Sequence, residues 1–291
     1  MTLVAGATGL LGGEICRLLR DQGKPARALV RPTSNADKTA QLKDIGAGVV
    51  VGDLKDRPSL EAACRSATSV ISTASSTLSR QQGDSIDSVD RDGQLNLIEA
   101  AEQAGVRQFV LISFPNVDID FPLQSAKRVV EERLRRGRMT HTILQPTFFA
   151  EVWLSAALGF DRANLTAQIY GSGHNKISWI SFHDVAKFAV AAVDNPRAHN
   201  ATVQLGGNEA LSPLEVVQLV ERMEGKSINV QYVPEEALRA QHAAARDPLQ
   251  RSFAGLMLYY ARGDVIDMTD ASRVFPGQAV KSVRDVISAQ C

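Results

Sequence analysis

Gly6-Ala7-Thr8-Gly9-Leu10-Leu11-Gly12 stands directly after a short apolar run, Leu3-Val4-Ala5. A helical pattern of Glu14, Ile15, Leu18 and Leu19 follows it, then a second apolar run, Ala28-Leu29-Val30, ending at Arg31. Strand, glycine turn, helix and strand within about thirty residues make a βαβ unit. Each glycine has a physical task. Gly6 lets the chain turn sharply off the strand, Gly9 lets backbone approach a pyrophosphate, and Gly12 lets the helix pack closely. The free N–H groups at the helix start favour phosphate, and Thr8 offers a hydroxyl. The other reading of this spacing is a tight βα turn with no ligand.

The spacing is G-x-x-G-x-x-G, and at GATGLLG the chain resembles the extended and atypical short-chain dehydrogenase/reductases. More narrowly it resembles the NmrA-like group, with its isoflavone-reductase-like and quinone-oxidoreductase-like members. The resemblance implies an α/β fold: a Rossmann-type doubly wound parallel sheet with a smaller C-terminal α/β substrate-binding subdomain. It also makes Gly6, Thr8, Gly9, Leu10, Leu11 and Gly12 the loop expected to hold a dinucleotide.

The chain has 291 residues, 44% of them hydrophobic, with 32 basic and 32 acidic side chains. This is enough for a full core and gives no charge excess to attract nucleic acid or a membrane surface. No apolar stretch is long enough to span a bilayer. The first strand begins so early that no signal peptide is expected before it, and a cytoplasmic protein is expected. Cys16, Cys64 and Cys291 do not form a disulfide or zinc pattern, and Cys16 is expected to face the core. The five histidines show no metal-ligand spacing. No Gly-x-Ser-x-Gly elbow supports a hydrolase.

At the end of the second strand an NAD-preferring site often has an acidic residue for the ribose 2′-hydroxyl. This chain has Arg31, with Ser34 and Lys38 beyond it. Arginine suits a 2′-phosphate through its planar fork of donors, so NADP(H) is the expected cofactor. The alternative for Arg31 is a solvent-facing loop residue. Val49-Val50-Val51 reads as a buried parallel strand. Asp53 and Leu54 after it correspond, by the resemblance, to the pair lying along the adenine; otherwise Asp53 is a loop residue, and Asp56 or Ser59 caps the next helix. Ala74 and Ser75, past the strand Val70-Ile71-Ser72, are small residues at a strand's carboxyl end, where open α/β sheets bind ligands. The polar stretch 78–87 reads as a mobile rim. Val89 to Ala104 reads as one long helix, ended by Gly105.

By the resemblance, Ser113 after the strand Phe109–Ile112 occupies the superfamily's catalytic-serine position, and Lys127 is its lysine. The usual tyrosine four residues before that lysine is absent, because position 123 is Leu. That tyrosine is the general acid of carbonyl reduction, so only the lysine's hold on the nicotinamide ribose carries over. Read without the resemblance, Lys127 is one charge on an exposed helix face beside Arg128, Glu131 and Glu132. Gln145-Pro146-Thr147-Phe148-Phe149 resembles the family's L-R-P-x-x-F stretch, with Gln145 in place of Arg. Pro146 ends the strand, and Phe148 or Phe149 walls the nicotinamide, although core packing suits at least one of them.

Beyond residue 150 the βα alternation stops. Residues 1–150 read as the nucleotide-binding domain, with 177–205 returning to it. Residues 151–176 and 206–291 read as the smaller subdomain. Ile177 to Phe182 reads as a strand, and His183 as a packing or capping residue. Ser212-Pro213-x-Glu215 starts a helix with a capping box. Leu256-Met257-Leu258-Tyr259-Tyr260 either lines the mouth of a substrate pocket or packs in the core. Tyr259 and Tyr260 are candidates for the missing acid.

Two functions are in view. One is an NADPH-dependent reductase passing hydride to a hydrophobic or aromatic small molecule such as a quinone, an enone or another conjugated compound, which needs less help from a protein acid. The other, also implied by the NmrA-like resemblance, is an NADP(H)-sensing protein acting through protein partners. The missing tyrosine favours the second, and an apolar pocket in the C-terminal part favours the first. Oligomeric state is open.

Overall fold

The computed structural model describes residues 1–78 and 80–289; Ser79 in the 78–87 stretch and Cys291 lie outside them. The chain begins β1 (Thr2–Ala5), α1 (Leu10–Asp21), β2 (Ala26–Val30), α2 (Ala36–Asp44), β3 (Gly48–Val51), α3 (Arg57–Cys64) and β4 (Ser69–Ser72). A π-helical turn at Ile86–Arg91 leads into α4 (Asp92–Gln103), β5 (Gln108–Ile112), α5 (Pro122–Arg135) and β6 (Thr140–Pro146). Then come α6 (Ala150–Trp153), β7 (Phe160–Asp161), β8 (Thr166–Tyr170), α7 (Phe182–Ala192) and β9 (Ala201–Leu205). The last elements are α8 (Pro213–Glu224), β10 (Asn229–Val233), α9 (Glu235–Ala244), α10 (Pro248–Arg262), α11 (Thr269–Val274) and α12 (Val283–Ser288).

Seven parallel strands pair in the order β3-β2-β1-β4-β5-β6-β9. This is the Rossmann-type order, extended by β9 on the far edge. One apolar layer joins α1 and α7 through Ile15, Leu19, Val185 and Phe188; the other joins α3, α4 and α5 through Leu60, Leu97, Ile98 and Val130. Ala271, Val274 and Phe275 of the α11 region also pack into the first layer. A third cluster lies in the C-terminal part, around Phe121, Phe148, Trp179, Val216, Leu258 and Tyr260. There β8 pairs parallel with β10 and antiparallel with β7. Among the described residues no helix is long and apolar enough to cross a membrane.

Local signals explain most element ends. Asn35 caps α2, and Ser212 with Glu215 forms the expected capping box of α8, which Gly225 ends in the left-handed region. Three expectations need correction. Val49–Val51 belongs to the outer strand, not a buried one: among the described residues β3 has a neighbour on one side only, and Val51 is 56% exposed. Ile177 to Phe182 is not a strand; it makes isolated bridges at Ile177 and Ile180, and Phe182 already opens α7 behind the Ser181 cap. The helix expected over Val89–Ala104 begins with the π-helical turn, which Ser85 caps.

Candidate active site

The strand order reverses between β1 and β4, and the loops leaving these two strands meet there. Gly6 has φ +81°, and a Cβ on it would stand 2.5 Å from Thr73 Oγ1 and 2.8 Å from Ala74 N. Gly12 packs onto the turn itself, since its Cβ would meet Gly6 O at 2.2 Å. These two glycines let loop, helix and second strand close up without side chains between them. Gly9 is the N-cap of α1 and supplies no side-chain cap, so the first-turn N–H groups remain for an anion.

A cavity of about 460 Å³ opens along the carboxyl ends of the strands. Gly6, Thr8, Gly9, Leu10, Leu11, Arg31, Asp53, Leu54, Ala74, Ser75, Ser113, Lys127, Pro146 and Phe149 all line it. Gly12 does not; its place is behind the turn. Residues separated by more than a hundred positions thus share one groove, long enough to run from Arg31 and Lys38 at one end to Tyr259 at the other.

At the β2 end Arg31 is not a free loop residue. Its Nη1 donates to Asp84 Oδ2 at 2.5 Å, and Lys55 Nζ donates to the other oxygen at 2.5 Å. The Asp84 side chain is 1% exposed. Burial pushes its carboxyl up, but bonds from Lys55, the Gln81 amide and Arg31 outweigh this and hold it below the usual range. Gln81 also bonds Thr33. Gln81 and Asp84 of the 78–87 stretch are thus bonded to the loop that carries Arg31 and Thr33. Asp53 turns its Oδ1 to the Lys55 amide, and Ser59 Oγ donates to the Asp56 carbonyl while the Asp56 side chain caps nothing.

Lys127 lies in the middle of the groove and is buried, which removes the reading of it as an exposed helix residue. Burial pushes its ammonium below the ordinary lysine value, against the pull of Asp90 and Glu131. Asp90 sits in the π-helical turn. Its Oδ2 accepts from Ser76 N at 3.0 Å and Ser76 Oγ at 2.6 Å, and its Oδ1, without a hydrogen-bond partner among the described residues, lies 3.8 Å from Lys127 Nζ.

Ser113 lies beside Lys127 at the end of β5. Its Oγ donates to Glu131 Oε1 at 2.6 Å and accepts from Arg128 Nη2 at 3.1 Å. Glu131 is buried and also accepts from Gln145 at 2.9 Å and Arg135 at 3.0 Å. The one Ser113 proton is thus committed to a carboxylate, and Gln145 supports the same carboxylate. The far end of the groove is apolar, with Phe114, Leu123, Phe148, Trp153, Leu256 and Tyr259. Tyr259 donates to Asp264 Oδ2. Tyr260 is packed away on Trp153, with ring centroids 5.4 Å apart. His183 bonds Glu14 through Nδ1 at 2.9 Å and stacks on Phe182, as a packing residue does.

Asp84, Asp90, Glu131 and Asp264 were not singled out as site residues from sequence. Acidic residues inside amphipathic helices and polar loops look like solvated charges, and no local spacing marks them as buried. Among the described residues no cluster of three or more His, Cys, Asp or Glu is placed to hold a metal.

The chain is similar to proteins of more than one kind. Photosystem II assembly factor Ycf39 of Synechocystis sp. is 34% identical over 255 residues, covering 84% of this chain and 74% of that protein. Phenylcoumaran benzylic ether reductase PT1 of Pinus taeda is 28% identical, covering 98% of this chain and 97% of its own. The solved structure of AtPrR2 with NADP+ and (+)pinoresinol superposes with a TM-score of 0.78 and 25% identity, covering 100% and 98% of the two chains. The family model described as NmrA-like matches residues 1–273. With the glycine turn, the strand order and the groove in place, the chain belongs to the NmrA-like family.

Proposed function

We propose that this chain is an NADPH-dependent reductase of small conjugated acceptors. The observation that carries the proposal is the groove itself: a glycine turn and open helix N-terminus, Arg31 at one end, a buried lysine in the middle and an aromatic pocket at the other end. The residues present fit the dinucleotide. A Cβ at Gly6 would collide with the Thr73 hydroxyl and the Ala74 amide at the edge of its cradle, and among the described residues the Lys127 ammonium lines the groove with only Asp90 Oδ1, at 3.8 Å, in ion-pair reach. The reductase kind is supported by PT1, which matches over nearly its whole length, and by the AtPrR2 complex with NADP+.

Bound in this groove, NADPH supplies a hydride from its nicotinamide. The protein residues then have separate tasks. Gly9 and the first turn of α1 receive the pyrophosphate, while Arg31, Ser34 and Lys38 receive the 2′-phosphate. Asp53 and Leu54 lie along the adenine, with Ala74 and Ser75 leaving room for the ribose and pyrophosphate. Lys127 holds the nicotinamide ribose and places positive charge near the reacting end. Pro146 and Phe149 bound the nicotinamide, and the apolar end excludes water around an aromatic acceptor.

A second reading is an NADP(H)-sensing protein that acts through partners. The commitment of the Ser113 proton to Glu131 favours it, because that hydroxyl is not free to polarise a carbonyl, and the Ycf39 relative is an assembly factor by name. The deciding experiment is NADPH oxidation with a panel of quinones, enones and azo compounds, using Lys127→Ala as control. Acceptor-dependent oxidation that the control loses by about a hundredfold supports the reductase. Tight NADPH binding with no turnover on any acceptor supports the sensor.

A further inference from the structure

The groove lacks the tyrosine that normally protonates a reduced carbonyl; Leu123 stands in its place. Tyr259 reaches the same groove from α10, on the opposite side of the sequence. Helix α10 is fixed against α5. Leu123 N donates to Ser252 Oγ at 3.0 Å, and a Cβ at Gly255 would collide with the Phe121 ring at 2.6 Å. Tyr259 lies seven residues after Ser252, two turns along the same helix face. It lines the cavity, with its ring centroid 4.6 Å from that of Phe148, and it is close enough to Arg128 to feel its charge. Arg128 bonds Ser113, so Tyr259 borders the reacting end of the groove.

Behind Tyr259 stands Asp264. The phenol donates to Asp264 Oδ2, while Asp264 is only partly buried and does not line the cavity. Its backbone is held on both sides: its N–H donates to Lys176 O at 2.9 Å, and its carbonyl accepts from Ser178 N at 2.8 Å. Two groups therefore run in sequence, from a partly exposed carboxyl through a buried phenol to the cavity.

We propose that Tyr259 is the proton donor to the reduced acceptor and that Asp264 is the positioning residue that recharges it. The proposal rests on the reductase reading above. In the step, the acceptor gains an electron pair with the hydride that NADPH supplies. The Tyr259 O–H bond breaks, and its proton forms an O–H or N–H bond on the acceptor. The Asp264 carboxyl proton passes to Tyr259 Oη, and water reprotonates Asp264. The sum is one NADPH, one proton and one acceptor giving NADP+ and the dihydro product.

The charge state of Asp264 decides where the phenol proton is held. Burial pushes the Asp264 carboxyl above its ordinary value, and burial with the neighbouring Asp264 charge pushes the Tyr259 phenol up. An ionised Asp264 holds the phenol proton for itself; a neutral one donates to Tyr259 Oη and frees that proton for the cavity. The charged groups around the pair are Arg128 from α5, with Lys176 and Arg262 on the adjoining segments. Lys176 Nζ faces Glu215 at 3.8 Å, and Arg262 Nη1 donates to the Asp118 carbonyl at 2.8 Å.

The test compares wild type, Tyr259→Phe and Asp264→Asn, both variants nearly isosteric, after circular dichroism and NADPH titration establish that fold and cofactor affinity are unchanged. With the best quinone or enone, Y259F is expected to lower kcat by about a hundredfold with KM changed less than about threefold, and to lose the solvent deuterium isotope effect. D264N is expected to lower kcat and to remove the fall of kcat with rising pH. In cofactor-free protein, infrared titration is expected to show a carboxylic-acid band that persists above the ordinary aspartate range and is missing in D264N. Wild-type turnover that Y259F leaves unchanged overturns the relay alone, as does the absence of that band. No wild-type turnover on any acceptor overturns the reductase reading and the relay together.

Discussion

The Lys127 ammonium stands 3.8 Å from Asp90 Oδ1, with both side chains buried. Asp90 is tied through its other oxygen to Ser76, at the end of the loop that carries Ala74 and Ser75. The pair thus joins α5, the π-helical turn and the loop after β4 at one point. Removing one partner of such a pair leaves an uncompensated buried charge. Asp90→Asn and Lys127→Met are each expected to cost about 3 kcal/mol. The double variant should cost less than the sum of the two, because neither charge is left behind. Urea denaturation of the four proteins gives the coupling; additive losses would show that the two side chains do not interact.

Gly12 and Gly13 are neighbours in α1 with opposite surroundings. A Cβ at Gly12 would lie 2.2 Å from Gly6 O, whereas one at Gly13 would meet Ala7 O at 3.4 Å, an ordinary contact. Gly12→Ala is expected to destabilise by about 1–3 kcal/mol and to weaken NADPH binding by deforming the turn. Gly13→Ala should be neutral or stabilising by up to about 1 kcal/mol. Equal thermal shifts for the two variants would contradict the close packing of helix on turn.

Arg31 makes a prediction about cofactor choice. Arg31→Ala is expected to raise the NADPH Kd about tenfold, equivalent to about 1.4 kcal/mol, and to change NADH binding less than about twofold. Fluorescence titration with both nucleotides measures this. A parallel loss for both would mean that Arg31 serves only to hold Asp84 and the rim.

Glu14 carries the expected acid dependence. Its bond from Arg17, opposed by burial and aided by His183, lowers its carboxyl to about 2. A folded value below the unfolded one stabilises above the unfolded value of 4.5 and is lost as pH falls towards about 2. After allowance for solvent screening, the contribution is about 1 kcal/mol. Urea midpoints between pH 6 and pH 2 should fall more steeply for wild type than for Glu14→Gln; parallel curves would remove the group from the acid response.

Much of the lining of the candidate site was legible in the chain. The glycine turn and the arginine after the second strand were readable because a parallel sheet sends each carboxyl end to the same edge, whereas Ser113, Lys127 and Pro146 followed from the family resemblance; all of them line the one cavity, save Gly12 behind the turn. Short-range patterns also marked most helices and caps, since capping and periodicity depend on residues within one or two turns. The edge position of β3 was not readable. An apolar run reports that it packs, not how many strands flank it.

The chain by itself determined the alternation of strand and helix, the cradle for a phosphate, and the loss of the usual tyrosine at Leu123, because these depend on residues close in sequence. Only the tertiary structure decided that Asp84 grips Arg31, that Asp90 faces Lys127, that Glu131 takes the Ser113 proton and that Tyr259 enters the groove backed by Asp264. Each of these except Tyr259 with Asp264 joins residues at least eighteen positions apart, and even that pair reaches the groove only because α10 packs on α5. Burial and charge pairing are properties of the packed interior, where distance in space replaces distance along the chain.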